Sequence, residues 1–187
     1  MDTEQLRTEF ELSEGVTLRA WEESDLLDAY DIVIQERAHL QTFMRWMTNE
    51  YSMEDSRKFL TNAIANRKEK KNLGLGIFRG DKLIGSIGFV YFDWEARKTE
   101  IGYWIAKVEE GKGIVTAATR RLIEYTFDEL GFNRVEIRCS TENARSAAVP
   151  IRLGFRKEAL LRQAEVIHDR LHDFFVFALL AEDPRLW

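Results

Sequence analysis

From Leu73 to Ala106 the chain reads as three strand-like runs in close succession, "LGLGIF", "KLIGSIGFVYF" and "KTEIGYWIA", separated by "RGDK" and "DWEARK". Links this short join antiparallel neighbours, because a parallel pair needs a crossover of a dozen residues or more. A three-stranded meander is therefore expected in the middle of the chain. It runs into "EEGKGIVTA", after which residues 113–130 place Ala118, Leu122, Ile123, Phe127 and Leu130 on one apolar helical face. Gly131 is expected to stop that helix at C′.

The flanking segments fill out the pattern. "VTLRAW" (16–21) alternates as a first strand, and Ser24 stands where an N-cap would open the helical run 25–40. Ser52 with Asp55 resembles a capping box ahead of a second helix, 53–71, whose last turn is lysine-rich. After Gly131 come a strand at 133–139, a short helix from Asn143, and strand-like runs near 155–162 and 173–180. The order β-αα-βββ-α-β-α-ββ predicts an α/β fold of the α+β type, with a mixed, largely antiparallel sheet and flanking helices.

With 187 residues and no repeat or Pro/Ser-rich linker, one domain over residues 1–187 is expected. The net charge of −5 lacks the basic footprint that nonspecific nucleic-acid binding needs, so no direct nucleic-acid partner is expected. No apolar run reaches the roughly 18 residues of a membrane span, and no leader-like apolar segment opens the chain. A lone cysteine, Cys139, excludes an internal disulfide and reads as a buried strand residue, in keeping with a cytoplasmic protein. His168 and His172 lack a third ligand of clear geometry, so no metal site is expected.

The "EGKG" turn is the first functional candidate. A helix N-terminus presents about four unpaired N–H groups and a partial positive charge, which together attract an anion. Gly111 and Gly113 would let backbone approach it, with Lys112 adding a charge and Thr116 a hydroxyl. Neither familiar nucleotide motif is complete: Ala106 stands where a P-loop begins with glycine, and Thr116 takes the third glycine position of a dinucleotide fingerprint. Taken alone the turn reads equally as an ordinary strand–helix connection.

The wider series "EIGYWIA", "EGKGIVTAA", "LGFNRVEIRC", Asn143-x-x-Ser146, "LGF" (153–155) and "LLRQAEV" with "HD" (160–173) resembles the GNAT superfamily of acetyl-CoA-dependent N-acetyltransferases, and within it the ribosomal-protein N-terminal (serine/alanine) acetyltransferase group. The resemblance covers about residues 15–181. It implies a sheet whose middle strands splay, with acetyl-CoA as cosubstrate in the gap. The pantetheine arm would lie along Trp104, Ile105 and Ala106, and the pyrophosphate on Gly111, Lys112, Gly113, Ile114, Val115 and Thr116. Asn143 would hold a pantetheine amide, Ser146 would return a proton to the departing thiolate, and Glu165 would act as base, with Glu100 as the second candidate. From the residues alone Ser146 also reads as a helix-start residue and Glu165 as a solvated hairpin carboxylate.

Two departures from the superfamily pattern stand out. Glu110 and Val115 occupy the first and last positions of Gln/Arg-x-x-Gly-x-Gly/Ala, so the phosphates are expected to lack a neighbouring arginine, and Glu109 and Glu110 to point to solvent. Pro150 stands where many members carry a tyrosine. The acceptor implied is a protein N-terminus, ribosomal in the leading reading. The alternatives are a small amine such as a polyamine, an amino acid or an antibiotic, or a CoA-binding module without turnover. A homodimer is a further possibility that the resemblance leaves open.

Overall fold

The structure, a computed structural model, describes residues 5–12 and 15–187; residues 1–4 and 13–14 of the expected 1–187 domain lie outside them. The strands are β1 (Glu9–Glu11), β2 (Val16–Ala20), β3 (Leu73–Arg79), β4 (Lys82–Asp93), β5 (Lys98–Ile105), β6 (Arg134–Ser140), β7 (Arg156–Ile167) and β8 (Arg170–Leu180). The helices are α1 (Leu26–Gln35), α2 (Arg37–Leu40), α3 (Met53–Lys68), α4 (Ile114–Glu124) and α5 (Ala144–Arg152). All eight strands form one sheet in the order β1-β2-β3-β4-β5-β6-β8-β7, and only β5 and β6 run parallel. The mixed, mostly antiparallel α/β architecture expected from the sequence is the one observed.

Two apolar clusters sandwich the sheet. One packs α4 and α5 through Ile114, Ala118, Leu122, Ile123 and Val149 against Leu75, Ile87, Ile101 and Ile137. The other packs α1–α3 through Ile32, Val33, Leu40 and Leu60 against Trp21, Phe78 and Leu83. Leu122 and Ile123 have no exposed surface, as the 3.6-residue spacing required. The expected helix 113–130 passes into a π-helical turn at Tyr125–Glu129, where buried Thr126 donates to the Leu122 carbonyl at 2.6 Å. Gly131 follows at φ 66°, the left-handed stop.

Several boundaries differ from the sequence reading. Ser24 is not an N-cap. Glu22 caps a short 3-10 turn, and the Asp25 carboxylate accepts from the Glu22 amide (2.8 Å) and from Arg19 (2.7 Å), a pairing that carries Asp25 into the interior. The run 25–40 is two helices broken at Glu36, whose carboxylate accepts the Lys107 amide at 3.0 Å. At Ser52 the expected capping box is present. The last two strands are longer than expected and turn tightly at His168 and Asp169, both in the left-handed region at φ 47° and 65°.

The feature that makes a site lies between β5 and β6. They pair only at Lys98–Arg134, Thr99–Val135 and Glu100–Glu136. Beyond that β5 stays with β4 as far as Ile105, and β6 stays with β8 as far as Ser140. A β-bulge opposite this point, with Val90 as the extra residue of β4, adds local twist. Thr99, fully buried, fixes the bulge by donating its hydroxyl to the Tyr91 carbonyl at 2.5 Å. Ion pairs from Arg134 to Glu136 and Glu158, each 2.7 Å, hold the paired end.

Candidate active site

The splay opens a groove of about 1220 Å³ that runs from β5 across the glycine turn to α5. Its floor is Tyr103, Trp104 and Ile105; its far end is Gly111, Gly113 and the first turn of α4, including Ile114, Val115 and Thr116. Gly111 (φ 76°) and Gly113 (φ 77°) both adopt the left-handed conformation, and a Cβ at either would meet nothing within 4 Å. Backbone conformation, rather than crowding, therefore selects glycine there. Gly113 is the N-cap of α4, so the turn delivers the unpaired amides of that helix to the groove.

The charges are arranged differently from the sequence expectation. Glu109 and Glu110 do not point freely to solvent. The Glu109 carboxylate receives both Arg79 and Lys112 at 3.1 Å; desolvation is the largest single influence and pushes it up, but the bonds and charges of Lys112 and Arg79 together hold it below the usual carboxylate range. Lys112 is thereby tied to its own turn and does not line the groove. Ala106 is buried, its amide given to the Ile84 carbonyl. Glu110 does line the groove, bonded to Arg145 of α5 and 3.5 Å from His39. The expected lack of an arginine is also corrected: Arg120, Arg145 and Arg152 all line the groove, and Arg152 donates to the Thr116 hydroxyl at 2.9 Å. As exposed basic residues on helices they carried no local signal; the packing of α5 beside α4 brings them to the turn.

A second, smaller pocket of about 220 Å³ opens on the other side of the splay. Phe43, Met44, Arg45 and Trp46, from the segment after α2, wall it. Opposite stand Ile137, Arg138, Cys139 and Ser140 of β6, Phe174 of β8 and Glu165 of β7. Glu165 reaches this wall because β7 bulges between Leu161 and Glu165, with Gln163 at φ 50°. Asp173 fixes the bulge by accepting the Gln163 amide at 2.7 Å, and its own carbonyl accepts from Thr141.

The two compartments meet at five shared residues: Phe43, Met44, Tyr103, Asn143 and Ser146. Asn143 caps α5, its side-chain oxygen accepting the Ser146 amide at 3.0 Å. The Ser146 hydroxyl lies 3.4 Å from the Tyr103 phenol oxygen, and the phenol donates to the Ser146 carbonyl at 2.9 Å. Pro150 explains that last contact. It sits inside α5 four residues after Ser146 and has no N–H to offer, so the Ser146 carbonyl is left for Tyr103. Tyr103 was not a sequence candidate; its neighbour Pro150 had been noticed only for what it lacks. Desolvation pushes the Tyr103 phenol far above its ordinary value, opposed by the Ser146 hydrogen bond. The same effect pushes the buried Cys139 thiol up to about 11, again against a bond from Ser146.

Glu100, at the crotch of the splay, is pushed up by burial, pulled down by Arg138, and pushed up again by Glu136 and Glu165. His172 is buried with its Nδ1 3.3 Å from the Ser140 hydroxyl. Among the described residues no group of three or more His, Cys, Asp or Glu is arranged to hold a metal, and no helix is long and apolar enough to cross a membrane.

A long groove ending on helix amides and arginines, joined through a serine, an asparagine and a tyrosine to a compact pocket with a carboxylate, is the layout of a transferase that brings two substrates together from opposite sides. A family model described as an acetyltransferase (GNAT) domain matches residues 16–156, and the chain belongs to that family. It is 35% identical to YdaF of Bacillus subtilis over 173 residues, 92% of this chain and 94% of that protein. It is 29% identical to the ribosomal-protein-serine acetyltransferase of Escherichia coli, over 91% of this chain and 96% of that one. Among solved structures, RimL, a ribosomal alpha-N-protein acetyltransferase in complex with coenzyme A, superposes with a TM-score of 0.86 at 25% identity, covering 92% of this chain and 97% of that one. The microcin self-immunity acetyltransferase MccE, in complex with acetyl-CoA and AMP, does so at 0.85 and 27%, covering 90% and 93%. The protein is an acyltransferase with acetyl-CoA as cosubstrate, and the glycine turn, helix amides and arginines of the groove are chemically suited to a polyanionic donor.

Proposed function

We propose that this chain transfers the acetyl group of acetyl-CoA to the α-amino group at the N-terminus of a protein, a ribosomal protein foremost, by direct attack in a ternary complex. The observation that carries this reading is the junction: Ser146 and Tyr103 stand where the groove opens into a pocket that holds Glu165 on its far wall. The names of the ribosomal-protein acetyltransferases among its relatives support the protein acceptor.

Acetyl-CoA, when bound, supplies the acyl group already activated as a thioester. On this reading β5 from Ile101 to Ile105, which has no β6 partner among the described residues, offers free backbone amides and carbonyls along the groove. One such amide polarises the acyl carbonyl, as a single-donor oxyanion site does. The amides of 111–116, with Arg120, Arg145 and Arg152, receive the phosphates, and Asn143 completes the wall beside them. An α-amino group has a pKa of about 7.7–8.0, so a modest base suffices to supply its neutral form. Glu165 takes that proton, with Glu100 as the second candidate. The Ser146 hydroxyl returns a proton to the sulfur that leaves, and Tyr103 orients that hydroxyl. Position 150, occupied by proline, supplies no acid of its own; it releases a carbonyl that fixes Tyr103.

Mass spectrometry of ribosomal-protein N-termini, incubated with acetyl-CoA with and without the protein, tests the reading. The expected result is a 42 Da gain at a free N-terminus, slowed about 10²–10⁴-fold by Ser146→Ala combined with Glu165→Gln. Acetylation confined to free small amines refutes the protein acceptor. A double variant at the wild-type rate refutes the residue assignments.

A further inference from the structure

The small pocket contains a cation that the chemistry above does not use. Alternation along β6 turns the Arg138 side chain to the face opposite the buried Val135, and Arg138 and Ser140 both line the pocket walled by Phe43–Trp46. Arg138 lines the pocket, and its Nε is fully buried with no hydrogen-bond partner. A buried N–H of a charged group left without an acceptor is costly, and native structures nearly always supply one. The residues that surround it differ in what they can provide. Glu136 is bound to Arg134 at 2.7 Å, while Glu100 interacts with Arg138 only through its charge and does not bond that nitrogen.

We infer that Arg138 reads the acceptor: when the acceptor enters, its side chain shifts to turn the Nε–H, shut off from the pocket in the free protein, toward the carbonyl oxygen of the acceptor's first residue while Glu165 faces the amine. The inference rests on the protein-acceptor reading above and narrows it: the acceptors are α-amino carbonyl compounds, peptide N-termini and amino-acid amides. Such a group carries one ammonium and, three bonds away, one hydrogen-bond acceptor, which matches one carboxylate and one unpartnered N–H. A polyamine carries a second ammonium and no acceptor, so the same arginine repels it. At about 220 Å³ the pocket is smaller than the roughly 300 Å³ at which drug-sized ligand sites begin, which suits the tip of a chain with the remainder outside.

The test compares three acceptors: a peptide with a free N-terminal serine, the same peptide with an E-alkene in place of its first peptide bond, and spermidine. Each is assayed with wild type, Arg138→Met and Arg138→Lys, and retained CoA binding by calorimetry reports that each variant is folded. Comparing each variant with wild type on the same substrate cancels differences in amine basicity. For the true peptide, Arg138→Met is expected to lower kcat/KM about tenfold to a hundredfold, chiefly through KM, with a far smaller effect on the alkene isostere. Arg138→Lys, which keeps the charge and loses the Nε–H, is expected to show the same peptide-selective loss. Equal losses on peptide and isostere in both variants overturn the role of Arg138 and leave the N-terminal activity standing. Wild type that turns over spermidine and not the peptide overturns both.

Discussion

The groove contains its own competitor for an anion, and removing it gives a prediction of definite sign. Glu110 lines the groove one residue before Gly111 and is bonded to Arg145, while its other oxygen is 3.5 Å from His39. An anion on the amides of residues 111–113 sits about two Cα spacings away, roughly 7 Å. At an effective dielectric constant of about 40–80, one unit of like charge at that distance costs about 0.6–1.2 kcal/mol. Freeing Arg145, which is 75% exposed, adds no more than about 1 kcal/mol, the value of a solvent-screened pair. Glu110→Gln keeps the shape and removes the charge, so it should tighten CoA by about 1–2 kcal/mol, or about five- to thirtyfold. Isothermal titration of CoA at 50 mM salt should show that gain. At 0.5 M salt, where the screening length falls well below 7 Å, less than threefold should remain. Unchanged or weaker binding at low salt would refute the reasoning, because Glu110 would then be positioning Arg145 instead of competing for it.

Two further expectations concern the junction and the crotch of the splay. Tyr103→Phe removes the bond that the phenol donates to the Ser146 carbonyl, which Pro150 leaves without its i+4 helical donor; urea denaturation should show a loss of about 1–2 kcal/mol, and an unaltered midpoint would mean another group or solvent satisfies that carbonyl. Glu100 is pushed above its ordinary value of 4.5, chiefly by burial, so the unfolded chain releases this proton first and the group weakens the fold as pH rises above about 4.5. Glu100→Gln should therefore be the more stable protein at pH 7, with the difference closing as pH falls below 4.5. Thermal melts across pH 4–8 decide it, and a variant less stable at pH 7 would show that Arg138 depends on that carboxylate.

The sequence carries local signals well and distant ones poorly, and the residues here divide along that line. The meander, the glycine turn and the buried face of α4 follow from turn chemistry and periodicity, so they were legible. The break at Glu36 was not, because it answers to the Lys107 amide across 71 positions of chain. The β7–β8 turn at His168–Asp169 lacks the glycine that usually marks a two-residue hairpin, so both strands read short. In the site, Ser146, Asn143 and Glu165 were named from resemblance, and the structure places all three along the small pocket. Arg145, Arg152 and Tyr103 were missed because an arginine on an exposed helix and a tyrosine in a strand have ordinary explanations. Their role depends on which elements face one another, and that is fixed only when α5 folds back beside α4.

The split between β5 and β6 has a consequence beyond chemistry. A sheet normally exposes unpaired backbone only at its two rims, but this one has two more edges at its centre, along 101–105 and 137–140. Any extended segment of another chain meeting those edges finds a ready template for strand addition. A ligand lying in the gap occupies the template and, at a hundred times its dissociation constant, adds about 2.7 kcal/mol to the folded state. A cosubstrate lying along those edges would also serve as the missing strand, and the protein should then be most prone to self-association when it is starved of CoA.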